Sequence, residues 1–218
     1  MKRKFRIIFI CTLAVLLASS AWAGRPDKNW KSWFGHFAGG YSSVTGDASS
    51  VVDNGWNLNG GATYWPESWP IGIDLELGYN DLGIKSETLA SLDGVDSANF
   101  TAWSMTADAM WGPKPGGTVN VYLAGGLGVY RVNASLGEDA IFNGIICDPW
   151  YLWCYPGLIP GTKVLFDETQ TKMGFNFGAG ITFEVGLGSQ IYIEAKYHRV
   201  ETDPAALEYI PVVVGYRW

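Results

Sequence analysis

The 218-residue chain holds no apolar run long enough to cross a membrane as a helix, although 48% of its residues are hydrophobic. The longest run, Ile7 to Ala18, spans 12 residues, well short of the ~20 that a helical span requires. Charge is scarce as well, at 17%, and the basic sign is the scarcer, with 15 Lys and Arg against 21 Asp and Glu. That balance argues against a nucleic-acid partner, because such binding needs basic groups to displace condensed counterions. Only three cysteines and two histidines are present, so thiolate and imidazole chemistry is confined to a few positions. Glycine, at 28 residues, and Trp, Tyr and Phe, together 15%, are abundant instead. Modest charge with many rings and glycines suits strands that curve tightly and meet lipid.

The one apolar run has its own explanation. Lys2, Arg3, Lys4 and Arg6 precede it and Ala21-Trp22-Ala23 follow it. This order reads as a secretory signal peptide over 1–23, cleaved near Ala23-Gly24. An uncleaved N-terminal anchor is the competing reading. Cys11 lies within the run, too early for lipid attachment after cleavage. Residues 24–218 then form one domain, with 11 of the basic residues left against 21 acidic ones, a net charge near −10.

Hydrophobic period two, the mark of strands, recurs in eight places. The runs are 33–43, 55–65, 71–80, 100–111, 119–131, 173–185, 190–199 and the closing Tyr209 to Trp218. In the third, Ile71, Ile73, Leu75, Leu77 and Tyr79 alternate with Gly72, Asp74, Glu76, Gly78 and Asn80. Most runs have 9–12 residues, about the length of a strand that crosses a bilayer at ~45°. Connections alternate in length: short after runs two, four and six, longer at 44–54, 81–99, 132–172 and 200–208. Short periplasmic turns and long outer loops define an up-and-down membrane barrel. The expected fold is therefore all-β, a transmembrane antiparallel barrel of eight strands. The 132–172 loop is long for a compact domain, which marks it as functional or mobile.

Polarity separates a membrane barrel from a soluble one. One face of the runs is aromatic and aliphatic; the other carries Gly, Asn and Thr with Asp74, Glu76, Asp108, Glu184, Glu194, Lys196, His198 and Arg217. Eight ionisable groups cannot pack in a dry apolar core without partners. On the lipid face, a Lys or Arg at mid-bilayer would cost ~2–4 kcal/mol, and none stands near a strand centre there. The greasy face is expected to point outward.

With these features the sequence resembles the OmpA-like eight-stranded outer-membrane β-barrel family of Gram-negative bacteria. The resemblance rests on 121–129 (VYLAGGLGV), 174–184 (GFNFGAGITFE), 191–199 (IYIEAKYHR) and 210–218 (IPVVVGYRW). It implies insertion in the outer membrane among lipid and lipopolysaccharide, as a monomer. It also implies that Tyr216 and Trp218 form the terminal signal read by the barrel-assembly machinery, with Trp218 where Phe is commoner. No peptidoglycan-binding domain is expected after the barrel. Because the family includes structural, adhesive, pore-forming and enzymatic members, it fixes location better than activity.

Three groups of residues are candidates for function. The inward ionisable residues form either a structural plug of ion pairs or a gated small pore, and acids outnumber bases enough that a pore would favour cations. An eight-stranded interior is just wide enough for side chains to fill. In the 132–172 loop, Cys147 and Cys154 are expected to form a disulfide in an oxidising compartment. A metal pair is the competing reading, although no His or further Cys stands nearby to complete it. Trp150, Tyr151, Trp153 and Tyr155 in and beside that ring would present a recognition knob to a surface ligand, fold over the mouth, or rest on the lipid interface. Arg131 and Arg199, at the outer strand ends, either suit lipopolysaccharide phosphates or are solvated rim charges. Barrel enzymes use His with Ser or Asp near the outer mouth; here only His198, with Ser42 or Ser43 across the barrel, qualifies, and no catalytic residue, cofactor or metal is assigned. Gly39-Gly40, Gly60-Gly61 and Gly125-Gly126 lie inside strands with no helix following, so they make room for lumen side chains rather than cradle phosphate.

Overall fold

Alternation over eight segments becomes eight antiparallel strands, because each strand can satisfy its backbone only against a neighbour. The structure is a computed structural model that describes residues 32–66, 69–90, 95–112, 119–148, 153–186, 188–203 and 205–218. The strands are β1 (Trp33–Thr45), β2 (Val52–Tyr64), β3 (Ile71–Ile84), β4 (Ser97–Trp111), β5 (Val119–Asp148), β6 (Trp153–Gly186), β7 (Ser189–Val200) and β8 (Leu207–Arg217). Each bonds to the next and β8 bonds back to β1, closing the barrel. Partners followed around the wall run Phe34, Thr63, Asp74, Asp108, Gly126, Asn176, His198, Tyr209 and back to Val44. The walk returns ten residues beyond its start (44 − 34), and this stagger tilts the strands and sets the bore.

Burial follows parity. Leu75, Leu77, Phe177 and Val214 are 52%, 60%, 57% and 49% exposed, all on the outer wall. Asp74, Glu76, Asp108, Glu194, Lys196, His198 and Arg217 are buried inside. Rings mark two belts on that outer wall. The inner belt contains Trp33 and Tyr64, 4.8 Å apart, and the group Phe37, Tyr216 and Trp218. In the outer belt Tyr79 lies 5.4 Å from Trp56 and 4.8 Å from Trp103. Trp103 and Trp111 stand eight residues apart on β4, which at ~3.4 Å per residue and ~40° tilt separates the belts by about 21 Å. That height suits the ~25 Å apolar band of membrane barrels. Among the described residues no helix is long and apolar enough to cross a membrane; the strands make the crossing.

Beyond the outer belt the structure departs from the sequence reading. The segments 44–54, 81–99 and 132–172, expected as loops, contain much strand: β1 and β2 run to Thr45 and from Val52, β3 and β4 to Ile84 and from Ser97. A 3-10 turn, Asp47–Ser50, and one short helix, α1 (Ser86–Ala90), sit at the tips. Outside lipid a strand needs no apolar outer face, so the alternation fades while the backbone ladder continues. The largest departure is the 132–172 segment, where β5 and β6 pair from Val132↔Gln170 to Asp148↔Trp153, with a bulge between Leu136 and Gly137. β4 accompanies β5 only as far as Gly137, and β7 accompanies β6 only as far as Gly174. The eleven residues Glu138 to Asp148 and their partners therefore form a two-stranded ribbon, about 37 Å long at ~3.4 Å per residue.

Candidate functional site

The barrel interior has three storeys. At the outer end Val44, Val52, Leu82, Ala102, Tyr130, Val132, Val200, Leu207 and Tyr209 form an apolar cluster. At the inner end Phe34, Trp65, Met110, Tyr122 and Ala124 form another. Trp65 reaches this position because Gly72 leaves space; a Cβ there would lie 2.7 Å from the indole. Between the two clusters lies a polar storey of buried charged and amide side chains.

Lys196 is its centre. Its Nζ donates to Glu76 Oε1 at 3.2 Å and to Asp108 Oδ2 at 3.0 Å, and stands 3.1 Å from Glu194 Oε1. The acids are held in turn: Asn176 Nδ2 donates to Asp108 Oδ1 at 2.8 Å and Tyr122 Oη to Glu194 Oε2 at 2.7 Å. The guanidinium of Arg217 lies over the Tyr192 and Tyr122 rings, 5.0 and 5.5 Å from their centroids. A second group surrounds Asp74, whose Oδ1 accepts Thr63 Oγ1 at 2.5 Å and faces His36 Nε2 at 3.1 Å. The other imidazole nitrogen, His36 Nδ1, lies 3.2 Å from Tyr192 Oη. Higher up, His198 Nδ1 lies 2.9 Å from Tyr130 Oη, and its ring stacks on Tyr209 at 4.9 Å. Ser42 Oγ donates to Asn80 Oδ1 at 2.6 Å and accepts from Asn57 Nδ2 at 2.9 Å.

These contacts sort the residues named from the sequence. Asp74, Glu76, Asp108, Glu194, Lys196, His198 and Arg217 lie in the lumen. Glu184 does not. It has inward parity but pairs with Gln190 at the inner rim, where the wall gives way to water, and its side chain is exposed. Ser42 is committed to Asn80 and Asn57, while the contacts of His198 are tyrosines. At the outer rim Arg131 is exposed beside Trp103 and Thr171 in register. Arg199 Nε donates to Glu201 at 2.9 Å and Nη1 lies 3.3 Å from Glu208 Oε1, so two carboxylates compete there with any phosphate. In the ribbon the backbone sets Cys147 directly opposite Cys154, and Trp153 and Tyr155 lie on β6 at its tip. Trp150 and Tyr151 lie outside the described residues, as does the 1–23 leader.

Sequence reasoning missed His36, Tyr122, Tyr130, Tyr192 and Asn176 as members of the interior network. Each has inward parity, so the signal was present. What hid it was residue type: a tyrosine reads as lipid-belt until the opposing glycine is noticed. Gly180 faces Tyr122 and Gly215 faces Tyr192, and in both a Cβ would come within 2.4 Å of the ring.

An apolar outer wall between two aromatic belts and a charged interior lying between two apolar clusters are the physical marks of a barrel built for lipid. The outer membrane protein beta-barrel domain model matches residues 9–217. The chain belongs to that family. Neisserial surface protein A is similar in structure, with 13% identity over 86% of this chain and 96% of that one, at a TM-score of 0.58. A major outer membrane protein from Thermus thermophilus has 10% identity over 85% and 97% of the two chains, at a TM-score of 0.52. At such identities the likeness is one of fold. No curated protein sequence matches the chain.

Proposed function

We propose that this family member serves the outer membrane as a closed structural barrel that presents its β5–β6 ribbon to a surface partner. The observation that carries the reading is a contrast within one molecule. The bore is filled by two apolar clusters with an ion-paired storey between them, while β5 and β6 extend far beyond every other strand. Residues that only plug a barrel do not need a ribbon about 37 Å long. Both ribbon edges lack a third strand among the described residues, which leaves backbone donors and acceptors available to a partner strand. Val164, Leu165 and Phe166 near its base are exposed.

On this reading a signal over 1–23 directs export and is removed near Ala23-Gly24, leaving 24–218 as the barrel domain. Tyr216 and Trp218 address the barrel-assembly machinery. A Cys147–Cys154 disulfide fixes the ribbon tip and with it Trp150, Tyr151, Trp153 and Tyr155. The closed ring lowers the entropy lost when those rings engage a ligand. Arg131, freer of acidic partners than Arg199, is the better contact for lipopolysaccharide phosphate.

The test compares cells displaying the wild-type chain with cells displaying Cys147→Ser/Cys154→Ser, using adhesion to immobilised host-surface molecules. Weaker binding at equal surface display supports the ribbon as the recognition element; unchanged binding removes it. The small-pore alternative draws support from the excess of interior acids and is tested by planar-bilayer conductance. Because apolar clusters and ion pairs occupy the bore, no steps above background are expected. Regular cation-selective steps, abolished by changing the Lys196 network, would make the pore the better reading.

A further inference from the structure

Asp74, Glu76, Asp108 and Glu194 are buried in the polar storey against two permanent cations, Lys196 and Arg217. Four carboxylates against those two cations leave the acids in excess by two between the apolar clusters. Such an excess is expensive in a medium that screens poorly, and a partner ion or protons must offset it. The three carboxylates around Lys196 share its ammonium, whereas Asp74 has His36, Thr63 and no cation of its own within salt-bridge distance apart from that imidazole.

We propose that His36, Asp74 and Glu76 bind a divalent transition-metal ion, zinc in the first instance, inside the barrel. One ligand atom from each of the three lies within 4.8 Å of the others, and all three residues are buried. A tetrahedral zinc with ligands at ~2.0–2.2 Å holds them ~3.4 Å apart, so the widest separation of 4.8 Å has to close by about 1.4 Å. Imidazole with two carboxylates and no thiolate is a donor set that zinc and its first-row neighbours accept.

Gly61 separates His36 from Glu76 in register, and a Cβ there would lie 2.1 Å from the Leu75 carbonyl oxygen and 2.8 Å from His36 Nε2, so the strands approach closely beside the imidazole. Tyr192 Oη also holds the far nitrogen, His36 Nδ1, at 3.2 Å. When Nε2 binds the ion, the proton resides on Nδ1 and donates to that hydroxyl, the outer contact that orients a metal-bound histidine. The divalent charge cancels the excess of two. Because all three residues are buried, the ion enters while the barrel closes and stays until it opens. None of this depends on the surface role of the ribbon.

The experiment measures metal by mass spectrometry in protein isolated from outer membranes. It then repeats the measurement after unfolding in urea with chelator and refolding in detergent with zinc or cobalt. About one zinc per chain is expected, retained when the folded barrel is dialysed against chelator and lost on unfolding. Refolding with cobalt should produce visible absorption bands of bound Co(II). His36→Gln and Asp74→Asn should abolish uptake, whereas His198→Gln, in the same lumen but outside the trio, should retain it; unheated gel migration confirms that each is folded. If neither substituted chain folds, the wild-type protein decides alone. Uptake by neither route, or uptake undiminished in folded His36→Gln, would overturn the site and leave protons as the balancing charge.

Discussion

Lys196 faces Glu76, Asp108 and Glu194 at 3.0 to 3.2 Å from a position only 3% exposed. Removing one partner from a buried ionic set leaves uncompensated charge, a loss of ~3–5 kcal/mol. Lys196→Met should lower barrel stability by about that amount in urea unfolding followed by heat-modifiable gel migration. Adding Asp108→Asn and Glu76→Gln should recover part of the loss, since the stranded charges are then gone. The tyrosines beside this network make a second test possible. Gly180 lies under Tyr122, and overpacking of a well-filled interior costs ~1–3 kcal/mol. Gly180→Ala should therefore destabilise the barrel, and Tyr122→Phe should relieve only part of it, because the clash involves ring carbons as well as the hydroxyl.

At the scale of the element, the ribbon and the barrel wall are held by different contacts. Wall strands have neighbours on both sides; beyond Gly137 β5 has β6 alone among the described residues. Replacing residues 138–163 by a short turn should leave the heat-modifiable transition within about 1 kcal/mol of wild type, as expected where few buried contacts are lost. A collapse of the transition would show that the ribbon braces the wall. The same division explains what could be read in the chain. Strands β3, β6, β7 and β8 were legible because lipid enforces strict alternation, as in Ile71 to Asn80. The outer ends of β1 to β6 were not, because water accepts either kind of side chain and the pattern at 138–163 carries Gly, Pro and acids without a period. Glu184 failed for a related reason: parity sets which face a residue takes, not whether the wall still encloses it at the rim. The partners of the acids, His36 and Tyr192 above all, became visible only once the ten-residue stagger set the rows side by side.

For the whole molecule, one division of surface organises everything else: rings and aliphatic side chains outside, carboxylates within. It explains why a chain that is 48% hydrophobic needs no spanning helix. It also explains why the interior Lys196 is paired with acids and why Gly180 and Gly215 lie beneath inward tyrosines. A charge placed on the outer wall should then be damaging: Leu75→Arg should cost ~2–4 kcal/mol in urea unfolding. The most direct measurement labels single cysteines at Leu75, Phe177 and Val214 with nitroxide, in a background lacking Cys147 and Cys154, and compares relaxation by oxygen with relaxation by a water-soluble nickel chelate in bilayers. All three labels should be relaxed by oxygen and protected from nickel. Labels reached by nickel and shielded from oxygen would place these side chains in an aqueous bore and contradict the account.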